Sequence, residues 1–397
     1  MELSRRVQAI KPSPTLAVTA RAAMLKAHGR DIIGLGAGEP DFDTPQHIKD
    51  AAIGAINSGF TKYTAVDGTP SLKAAIIAKF KRDNGLEYTA KQILVSCGGK
   101  QSFFNLVQAV INPGDEVIIP APYWVSYPDI VILADGKPVI IEAGIEQGFK
   151  ITAAQLEAAI TPRTRLFVIN SPSNPTGAVY TREELAALGD VLRKHPQVLI
   201  ATDDMYEHIR LNDVPFVNIL NACPDLYDRT LVLNGVSKAY SMTGWRIGYA
   251  AGPEAILRAM TNVQSQSTSN PTSISQVAAE AALNGDQGCM APMLAAFRER
   301  HRLVVDGLNA IPGFKCVDSG GAFYAFPDAR AAISSLLARD IIEEGTDIAF
   351  SEYLLESADV AVVPGSAFGA EGYIRLSFAT SHDNLEKALA RLAAALA

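Results

Sequence analysis

One lysine and one arginine lie in an otherwise uncharged stretch, NGVSKAYSMTGWRIGYAAG, at residues 234–252. Lys238 follows the apolar segment TLVL and a run of small residues, and Arg246 comes eight residues later. A lysine that is desolvated at the end of a strand has a lowered pKa, so that its amine can attack a carbonyl carbon. The planar guanidinium of Arg246 suits a phosphate, and Ser237 adds a hydroxyl donor. The stretch therefore predicts a site for a ligand with a carbonyl and a phosphate.

Pyridoxal phosphate carries both groups, and it also needs a carboxylate at its ring nitrogen. The stretch ATDDMYEHI, residues 201–209, offers Asp203 and Asp204 at the end of a predicted strand, with Tyr206 shortly after them. Asp203 is our candidate for the ring nitrogen, and a helix-capping role is the alternative for an aspartate at this position. Each of these features is weak evidence alone. Together, in one chain order at strand ends, they favour pyridoxal phosphate.

Two other loops follow predicted strands and could bind a ligand. SCGGKQS, residues 96–102, places two glycines where a helix begins, and the N–H groups and dipole of a helix start favour an anion. NSPSNPTG, residues 170–177, has two prolines and a glycine that can fix the amide of Asn174. Either loop could instead be a plain connecting turn. Ligand sites of α/β proteins do lie at this end of the strands.

The glycines of IIGLGAGEPDFDTP, residues 32–45, invite comparison with a dinucleotide-binding fingerprint. That fingerprint needs a helix to begin at its last glycine, so that the helix N-terminus faces the pyrophosphate. Pro40 and Pro45 interrupt the chain where this helix would form. We therefore disfavour a nicotinamide dehydrogenase and expect a glycine turn that shapes a pocket.

Arg375 lies within the β-pattern YIRLSFATS, residues 373–381, between apolar neighbours. Burying a charged side chain is costly unless it is paired. The guanidinium fork matches a carboxylate in a bidentate manner, so Arg375 is a candidate for binding a carboxylate ligand. An ion pair within the chain is the alternative.

The elements that must position these residues alternate between short apolar runs and amphipathic helices. Near-continuous apolar runs indicate strands that are buried on both faces. A capping box of Thr181 and Glu184 begins one helix, and Thr69 is expected to cap another. This alternation predicts an α/β domain with a mainly parallel sheet flanked by helices. The predicted strands are residues 92–97, 115–120, 165–170, 197–202 and 230–234.

The pattern changes near residue 290, where a long helix is followed by the β-like runs GFKCV, GAFYAF, VAVVP and YIRLSFA. These runs predict a smaller α+β domain. We divide the chain into an N-terminal arm that contributes to this small domain (1–45), a large cofactor-binding domain (46–290) and the C-terminal small domain (291–397).

Composition excludes several classes of protein. The 397 residues are 48% hydrophobic with a net charge of −7, so the chain can bury a large core and lacks a basic stripe for nucleic acid. It contains no apolar run of transmembrane length and no signal-peptide pattern at its start. The four cysteines and six histidines form no metal-binding motif. We expect a cytoplasmic enzyme without a metal, a membrane or a nucleic-acid partner.

The motifs NSPSNPTG, DDMYEH, SKAYSMTGWRIGYAAG and YIRLSFATS together resemble those of the class I aminotransferases of fold type I. GLGAGEPDFDTP, GGKQ and APYWVSYPD are similar to the bacterial aspartate aminotransferase branch, some members of which also use prephenate. The resemblance extends over nearly the whole chain. It implies ping-pong transamination between amino acids and 2-oxo acids, with pyridoxal phosphate as the cofactor.

The resemblance also implies roles for single residues. Lys238 would hold the cofactor through its amine and later move the substrate's Cα proton. Asp203 would pair with the ring nitrogen, and Tyr206 and Asn174 would hydrogen-bond the phenolic oxygen. Trp124 would stack on the ring, and Trp124 and Asn174 would also border the substrate.

Further implied roles concern the phosphate, the substrate and a second subunit. Arg375 would bind the substrate α-carboxylate, with Gly38 closing over it. Tyr63 would reach the phosphate of the neighbouring subunit, which implies a homodimer with shared active sites. The phosphate would be held by the backbone of Gly99, Lys100 and Gln101, together with Ser237 and Arg246.

One stretch departs from the family pattern. Animal-type relatives bind the distal carboxylate of the substrate with an arginine from a neighbouring loop, but SQSTSNPTS, residues 265–273, has no arginine. Lys11 in AIKPSPT matches a lysine that the bacterial branch associates with acidic substrates and prephenate. A solvated lysine on an N-terminal arm is the alternative for Lys11.

The leading hypothesis is aspartate:2-oxoglutarate transamination. Aromatic or broad-specificity transamination and a β-lyase activity on the same scaffold remain open, because both need Lys238. A regulator that binds the cofactor is disfavoured, since only about 30 residues precede the strand expected at the glycines of residues 32–45 and a helix-turn-helix module needs more.

Overall fold

The computed structural model of the chain describes residues 3–10, 12 and 14–397, so Lys11 lies outside the described residues. The strands are β1 Ile33–Gly34, β2 Ile93–Ser96, β3 Glu116–Ala121, β4 Lys137–Glu142, β5 Thr164–Asn170, β6 Leu199–Asp203, β7 Thr230–Gly235, β8 Gly248–Ala251, β9 Tyr324–Ala325, β10 Val360–Ala361, β11 Val363–Pro364 and β12 Ile374–Ser377. The helices are α1 Arg5–Ala9, α2 Pro14–Ala27, α3 Gln46–Asn57, α4 Pro70–Lys79, α5 Gly99–Val110, α6 Ser126–Leu133, α7 Ala153–Ala159, α8 Arg182–Lys194, α9 Ile219–Ala222, α10 Glu254–Ser265, α11 Ser273–Asn284, α12 Ala291–Asn309, α13 Arg330–Ala338, α14 Asp347–Ala358 and α15 His382–Leu396.

The central element is a seven-stranded sheet with the order β2-β8-β7-β6-β5-β3-β4. Its neighbouring strands are parallel except at β8, which runs antiparallel to both β2 and β7. The α/β fold with a mainly parallel sheet, expected from the sequence, is confirmed. All five predicted strands of this domain are present, and the sheet also contains β4 and β8.

Both faces of this sheet are buried under helices, which explains the continuous apolar runs. In β3, Val117 and Ile119 pack against α5, α6 and α10, whereas Ile118 between them packs on the opposite face. In β5, Leu166 and Phe167 divide between the two faces in the same way. Successive side chains of a strand point to opposite faces, so a strand covered on both sides must be apolar throughout.

Helix starts follow the capping signals of the sequence. The Thr181 side chain accepts a hydrogen bond from the Glu184 N–H at the start of α8, and the Glu184 side chain binds the Thr181 N–H in return. Thr69 caps α4 by accepting from Leu72 N–H. The helix expected at 292–309 corresponds to α12. No described helix has both the length and the apolar character needed to cross a membrane.

The C-terminal residues build two small sheets with the orders β11-β12-β9 and β1-β10. Because β1 pairs in parallel with β10, the N-terminal segment contributes a strand to this part of the molecule, and Arg30 pairs with Asp359 beside it. The prediction of a strand in GFKCV is wrong. That stretch makes an isolated bridge between Lys315 and Asp328, and the turn around Gly313 precedes it. The domain limits at residues 45 and 290 stay predictions.

Candidate active site

A cavity of about 380 Å³ opens where the carboxyl ends of the parallel strands meet the C-terminal part of the chain. This is the edge at which ligand sites of parallel α/β sheets form. The sequence-predicted residues that line it are Gly38, Gly99, Lys100, Trp124, Asn174, Asp203, Tyr206, Ser237, Lys238, Arg246 and Arg375. Residues from separate motifs therefore converge on one site.

Lys238 follows β7 and points its ammonium into this cavity. Its Nζ donates a hydrogen bond to the carbonyl oxygen of Gly38. Burial lowers the pKa of Lys238 to about 8, and the cations Arg375 and Arg246 add to the effect, while Glu39 acts against it. An amine with this pKa is partly unprotonated near neutral pH and can act as a nucleophile or a base.

Asp203 is the last residue of β6, and Asp204 follows it with a different set of partners. Asp203 faces the cavity and accepts hydrogen bonds from the Tyr127 hydroxyl at 2.5 Å and the Met205 N–H at 3.3 Å. Burial raises the pKa of Asp203, and these two donors only partly oppose it. Asp204 is 1% exposed and is hydrogen-bonded by Thr202 and Asn218. The capping alternative for Asp203 is therefore wrong, because no helix begins there.

Tyr206 is joined to a tyrosine that the sequence analysis did not select. The hydroxyls of Tyr206 and Tyr324 lie 2.8 Å apart, and both side chains line the cavity. A Cβ on Gly38 would come 3.0 Å from the Tyr324 hydroxyl. The glycine thus allows its chain segment to approach both tyrosines and Lys238.

Arg375 is a buried cation without a described carboxylate partner. It is 2% exposed, donates to the Asn174 side-chain oxygen at 2.9 Å and to the Gly36 carbonyl at 2.7 Å, and its buried Nε has no acceptor. Its guanidinium lies 4.5 Å from the ring centre of Tyr324 and 4.9 Å from that of Phe368. The ion-pair alternative is not found among the described residues, so a buried positive charge remains to be balanced by an anion.

The turn between β2 and α5 holds Arg246 against a helix start. Gly98 precedes the helix with φ +87°, and a Cβ there would come 2.4 Å from Arg246 Nη2. Arg246 donates to the carbonyl oxygens of Thr243 and Cys97. The first N–H groups of α5, at Gly99 and Lys100, have no place in the helical hydrogen-bond ladder and border the cavity. A guanidinium beside free helix N–H groups is suited to a phosphate.

Two sequence-predicted residues lie outside this cavity, and a third is not among the described residues. Gln101 does not line the cavity. Its N–H donates to Gly98, and its side chain bridges Cys97 N–H and Thr268. Tyr63 is 91% exposed on the loop after α3. Lys11 falls outside the described residues.

Some residues of the site gave little or no signal in the sequence. Tyr127 does not line the cavity but holds Asp203, and it follows Trp124 by three residues, a spacing that a helix start brings onto one face. Tyr324 lies in a β-pattern that is distant in sequence, and nothing in its own motif marks it as functional. The other cavity residues that were missed are Thr15, Leu16, Val125, Asn170, Met205 and Thr243.

The fold and the site together define a class of enzyme: a mainly parallel α/β protein that holds a buried lysine amine in one cavity with the turn at Gly98 and a buried arginine. Residues 30–392 match the model of the family "Aminotransferase class I and II". The chain belongs to this family, which confirms the resemblance stated from the sequence.

Named aminotransferases are similar to this chain, in sequence and in structure, over its full length. The aspartate/prephenate aminotransferase of Nitrosomonas europaea is 71% identical over 396 residues, covering 100% of both chains. The crystal structure of the Rhizobium meliloti aspartate aminotransferase superposes with a TM-score of 0.94 at 50% identity, covering 100% of this chain and 99% of that one. The structure of the Thermus thermophilus aspartate aminotransferase with maleate superposes with a TM-score of 0.92 at 45% identity, covering 100% of both chains.

Proposed function

We propose that this chain is a pyridoxal-phosphate-dependent aminotransferase that exchanges the amino group between aspartate and 2-oxoglutarate by a ping-pong mechanism. The observation that carries the proposal is Arg375, a buried guanidinium that has no described carboxylate partner and lines the same cavity as the Lys238 amine. The Arg375 guanidinium can bind the carboxylate of an amino acid while the Lys238 amine acts at the carbon next to that carboxylate.

The residues of the cavity fit the cofactor. The turn at Gly98 and Gly99 leaves room for Arg246 and offers free N–H groups, which suits a phosphate together with the Ser237 hydroxyl. Asp203, whose pKa is raised by burial, gains a compensating partner if a protonated ring nitrogen faces it. When bound, pyridoxal phosphate supplies the carbonyl carbon that takes the amino group and the ring that withdraws electrons from the substrate Cα.

The chain's own residues then bind, orient and move protons. The Lys238 amine would hold the cofactor in the resting enzyme and, once displaced by the substrate amine, would carry the proton that leaves the substrate Cα. The Asp203 carboxylate keeps a proton at the ring nitrogen, with Tyr127 fixing its orientation. Tyr206 and Asn174 donate hydrogen bonds at the phenolic oxygen, and Trp124 packs against the ring.

Arg375 binds the substrate α-carboxylate through its fork, and its Nε, which lacks an acceptor, is available for this contact. The segment with Gly38 closes over the substrate with the small domain. Closure excludes water while the Cα carries negative charge.

Lys100 is the remaining cation of the cavity lining once Lys238, Arg246 and Arg375 have roles. Its Nζ lies 5.2 Å from the ring centre of Trp124, and partial burial together with Arg246 lowers its pKa. We assign its side chain to the distal carboxylate of aspartate and glutamate, since residues 265–273 contain no arginine. The backbone of Lys100 keeps its place at the phosphate.

The Lys100 assignment predicts a change in specificity. Lys100→Met should lower kcat/KM for aspartate by roughly 10-fold or more, as expected for a lost charge-assisted hydrogen bond. Alanine has no distal carboxylate, so its kcat/KM should change less than about twofold. Steady-state kinetics with both donors measures this, and an equal loss for both substrates would contradict the assignment.

A homodimer with shared sites completes the proposal. The exposed apolar side chains Ile53, Ile56, Phe60 and Tyr63 follow one another on α3 and its loop. A second copy of the chain would cover them and would bring Tyr63 to the partner's phosphate.

The enzyme is cytoplasmic, and prephenate is its second oxo acid, as the name of the Nitrosomonas europaea relative suggests. Lys11 is the candidate residue for that substrate.

Product analysis with the purified protein tests the activity. Aspartate and 2-oxoglutarate should give equal amounts of oxaloacetate and glutamate, and replacing 2-oxoglutarate by prephenate should also sustain turnover. Lys238→Ala should lower kcat by at least about 10²–10⁴-fold, the range for a lost general acid–base group. A β-lyase would instead release ammonia and pyruvate, without any oxo acid, from an amino acid that carries a leaving group on Cβ.

A further inference from the structure

A buried ion pair between Lys79 and Glu207 lies behind the candidate active site. The two side chains are 1% and 3% exposed, and their charged atoms are in direct contact. The Asn84 amide donates to Glu207 Oε2 at 2.7 Å, and the Asn234 amide donates to Oε1 at 2.8 Å. Burial acts to raise the pKa of Glu207, but Lys79, His208 and the amide donors together lower it. The carboxylate is therefore ionised and its hydrogen bonds are satisfied on both oxygens.

The helical turn that follows Lys79 brings a further hydrogen-bonding side chain to the ion pair. After α4 the chain forms a π-helical turn, Phe80–Asn84, which ends at Gly85 in the left-handed region. Lys79 Nζ donates to Asn84 Oδ1 at 2.7 Å, five residues further along. A π turn brings residues at this spacing onto one face, and such turns occur frequently at functional sites. Asn84 thus bridges the cation and the carboxylate.

Glu207 is tied to both segments that carry the proposed catalytic groups. It directly follows Tyr206, and its N–H donates to the Asp204 carbonyl at 2.9 Å, so its position fixes the turn after β6. Asn234 is the penultimate residue of β7 and lies four residues before Lys238, and its side-chain oxygen accepts from Gly235 N–H at 2.7 Å. The amide of Asn234 is thereby held between its own backbone and Glu207.

We propose that Glu207, held by Lys79 and Asn84, is a positioning residue that sets the placement of Asp203 and Tyr206 relative to Lys238. Glu207 does not line the cavity. It acts through the turn after β6 on one side and through Asn234 on the other. The inference rests on the proposed aminotransferase function, because its readouts use the cofactor-loaded enzyme.

Two variants test the link at different points. Glu207→Gln keeps the side-chain shape and removes the charge, and Asn234→Ala cuts the contact to β7 while the ion pair stays intact. Each should lower kcat for aspartate by about 10- to 100-fold with KM changed less than threefold, as for misplaced catalytic groups. Each should also shift the pH midpoint of the bound cofactor's absorbance by about half a unit or more, because the groups around Lys238 move.

Glu116→Gln is the matched control. Glu116 is also a buried carboxylate, with Lys137 and Arg163 as ion-pair partners, but it lies at the start of β3, away from the cavity. It should lose stability while keeping the wild-type kcat and absorbance midpoint. If Glu207→Gln does not fold, Asn234→Ala decides the question.

The inference is overturned if the folded variants keep kcat and the absorbance midpoint within the range of the Glu116→Gln control. That result, with an active wild-type enzyme, leaves the proposed function standing. A wild-type protein without aspartate transamination would instead refute the proposed function itself.

Discussion

At the scale of single residues, the site is organised around cations that the fold has removed from water. Lys238 and Arg375 are both desolvated, and their charges face one cavity. Each side chain would be costly in a site without an anionic ligand. Their roles could be inferred from the sequence because a lysine and an arginine stood alone among small or apolar neighbours.

The lowered pKa of Lys238 predicts how the cofactor-free protein takes up pyridoxal phosphate. Only the unprotonated amine attacks a carbonyl, so the rate of covalent capture should rise with pH and level off above a midpoint near 8. Stopped-flow absorbance measures this rate. Glu39→Gln should move the midpoint to lower pH, because Glu39 favours the ammonium form. A midpoint near 10.5, the ordinary value for lysine, would contradict the prediction.

Arg375→Lys should weaken the binding of every amino acid and oxo acid substrate. A lysine keeps the charge but loses the bidentate fork, and hydrogen bonds to charged groups contribute roughly 1.5–3 kcal/mol, which is about 10- to 150-fold in kcat/KM. Steady-state kinetics measures the loss. Arg229→Lys is the control, since Arg229 donates to main-chain carbonyls away from the cavity and should leave kcat/KM unchanged. Unchanged kinetics for Arg375→Lys would exclude it from the carboxylate site.

At the scale of elements, the strand ends and helix starts that carry the site followed from local sequence. The capping box of α8 and the apolar runs of β5, β6 and β7 give signals within a few residues. β8 was not predicted because its sequence, GYAA, has a glycine and small residues, and its pairing with β2 and β7 is set by distant partners. The strand wrongly predicted in GFKCV shows the reverse case, in which local β-propensity found no partner strand.

The turn between β2 and α5 gives a prediction with a matched control. Gly98 and Gly114 have similar φ values, +87° and +85°, but a Cβ meets Arg246 only at Gly98, while nothing lies within 4 Å at Gly114. Both alanine substitutions should cost about 1 kcal/mol or more of stability from backbone strain. Gly98→Ala alone should weaken cofactor binding, by roughly 10-fold or more, because Arg246 is displaced. Fluorescence titration with pyridoxal phosphate measures this, and equal affinities for the two variants would contradict the account.

At the scale of the whole molecule, the cavity gathers residues from Thr15 to Arg375. Motifs at successive strand ends predict which residues of the sheet meet, because parallel strands share one edge. They do not predict that Tyr324 reaches Tyr206, since Tyr324 lies in β9 and is placed by pairing with β12. They also do not predict that the start of α2 borders the site, since α2 packs beside β1 and β10. Sequence reasoning also placed the backbone of Gln101 at the phosphate, whereas its N–H donates to the Gly98 carbonyl oxygen and Gln101 does not line the cavity.

The proposed homodimer is a prediction at this scale. Ile56 on α3 and Ile348 on α14 are both 52% exposed, so they form a matched pair of surface positions. Ile56→Asp should place a charge in the subunit interface and shift the protein towards monomers with lower activity. Ile348→Asp should remain dimeric and active. Analytical ultracentrifugation measures both, and a dimer unaffected by Ile56→Asp would place the interface elsewhere.

The central claim, that the cavity performs aspartate transamination, is tested most directly by a half-reaction. The cofactor-loaded protein is mixed with aspartate, glutamate, alanine, phenylalanine or arogenate, each without an oxo acid, and the absorbance of the bound cofactor is followed near ~430 nm, as expected for the lysine-bound form. The account predicts rapid loss of this band with aspartate and glutamate, and its recovery when 2-oxoglutarate is added. A band that responds mainly to neutral or aromatic amino acids would contradict the assignment of a dicarboxylate substrate, and a band that responds to none would contradict transamination.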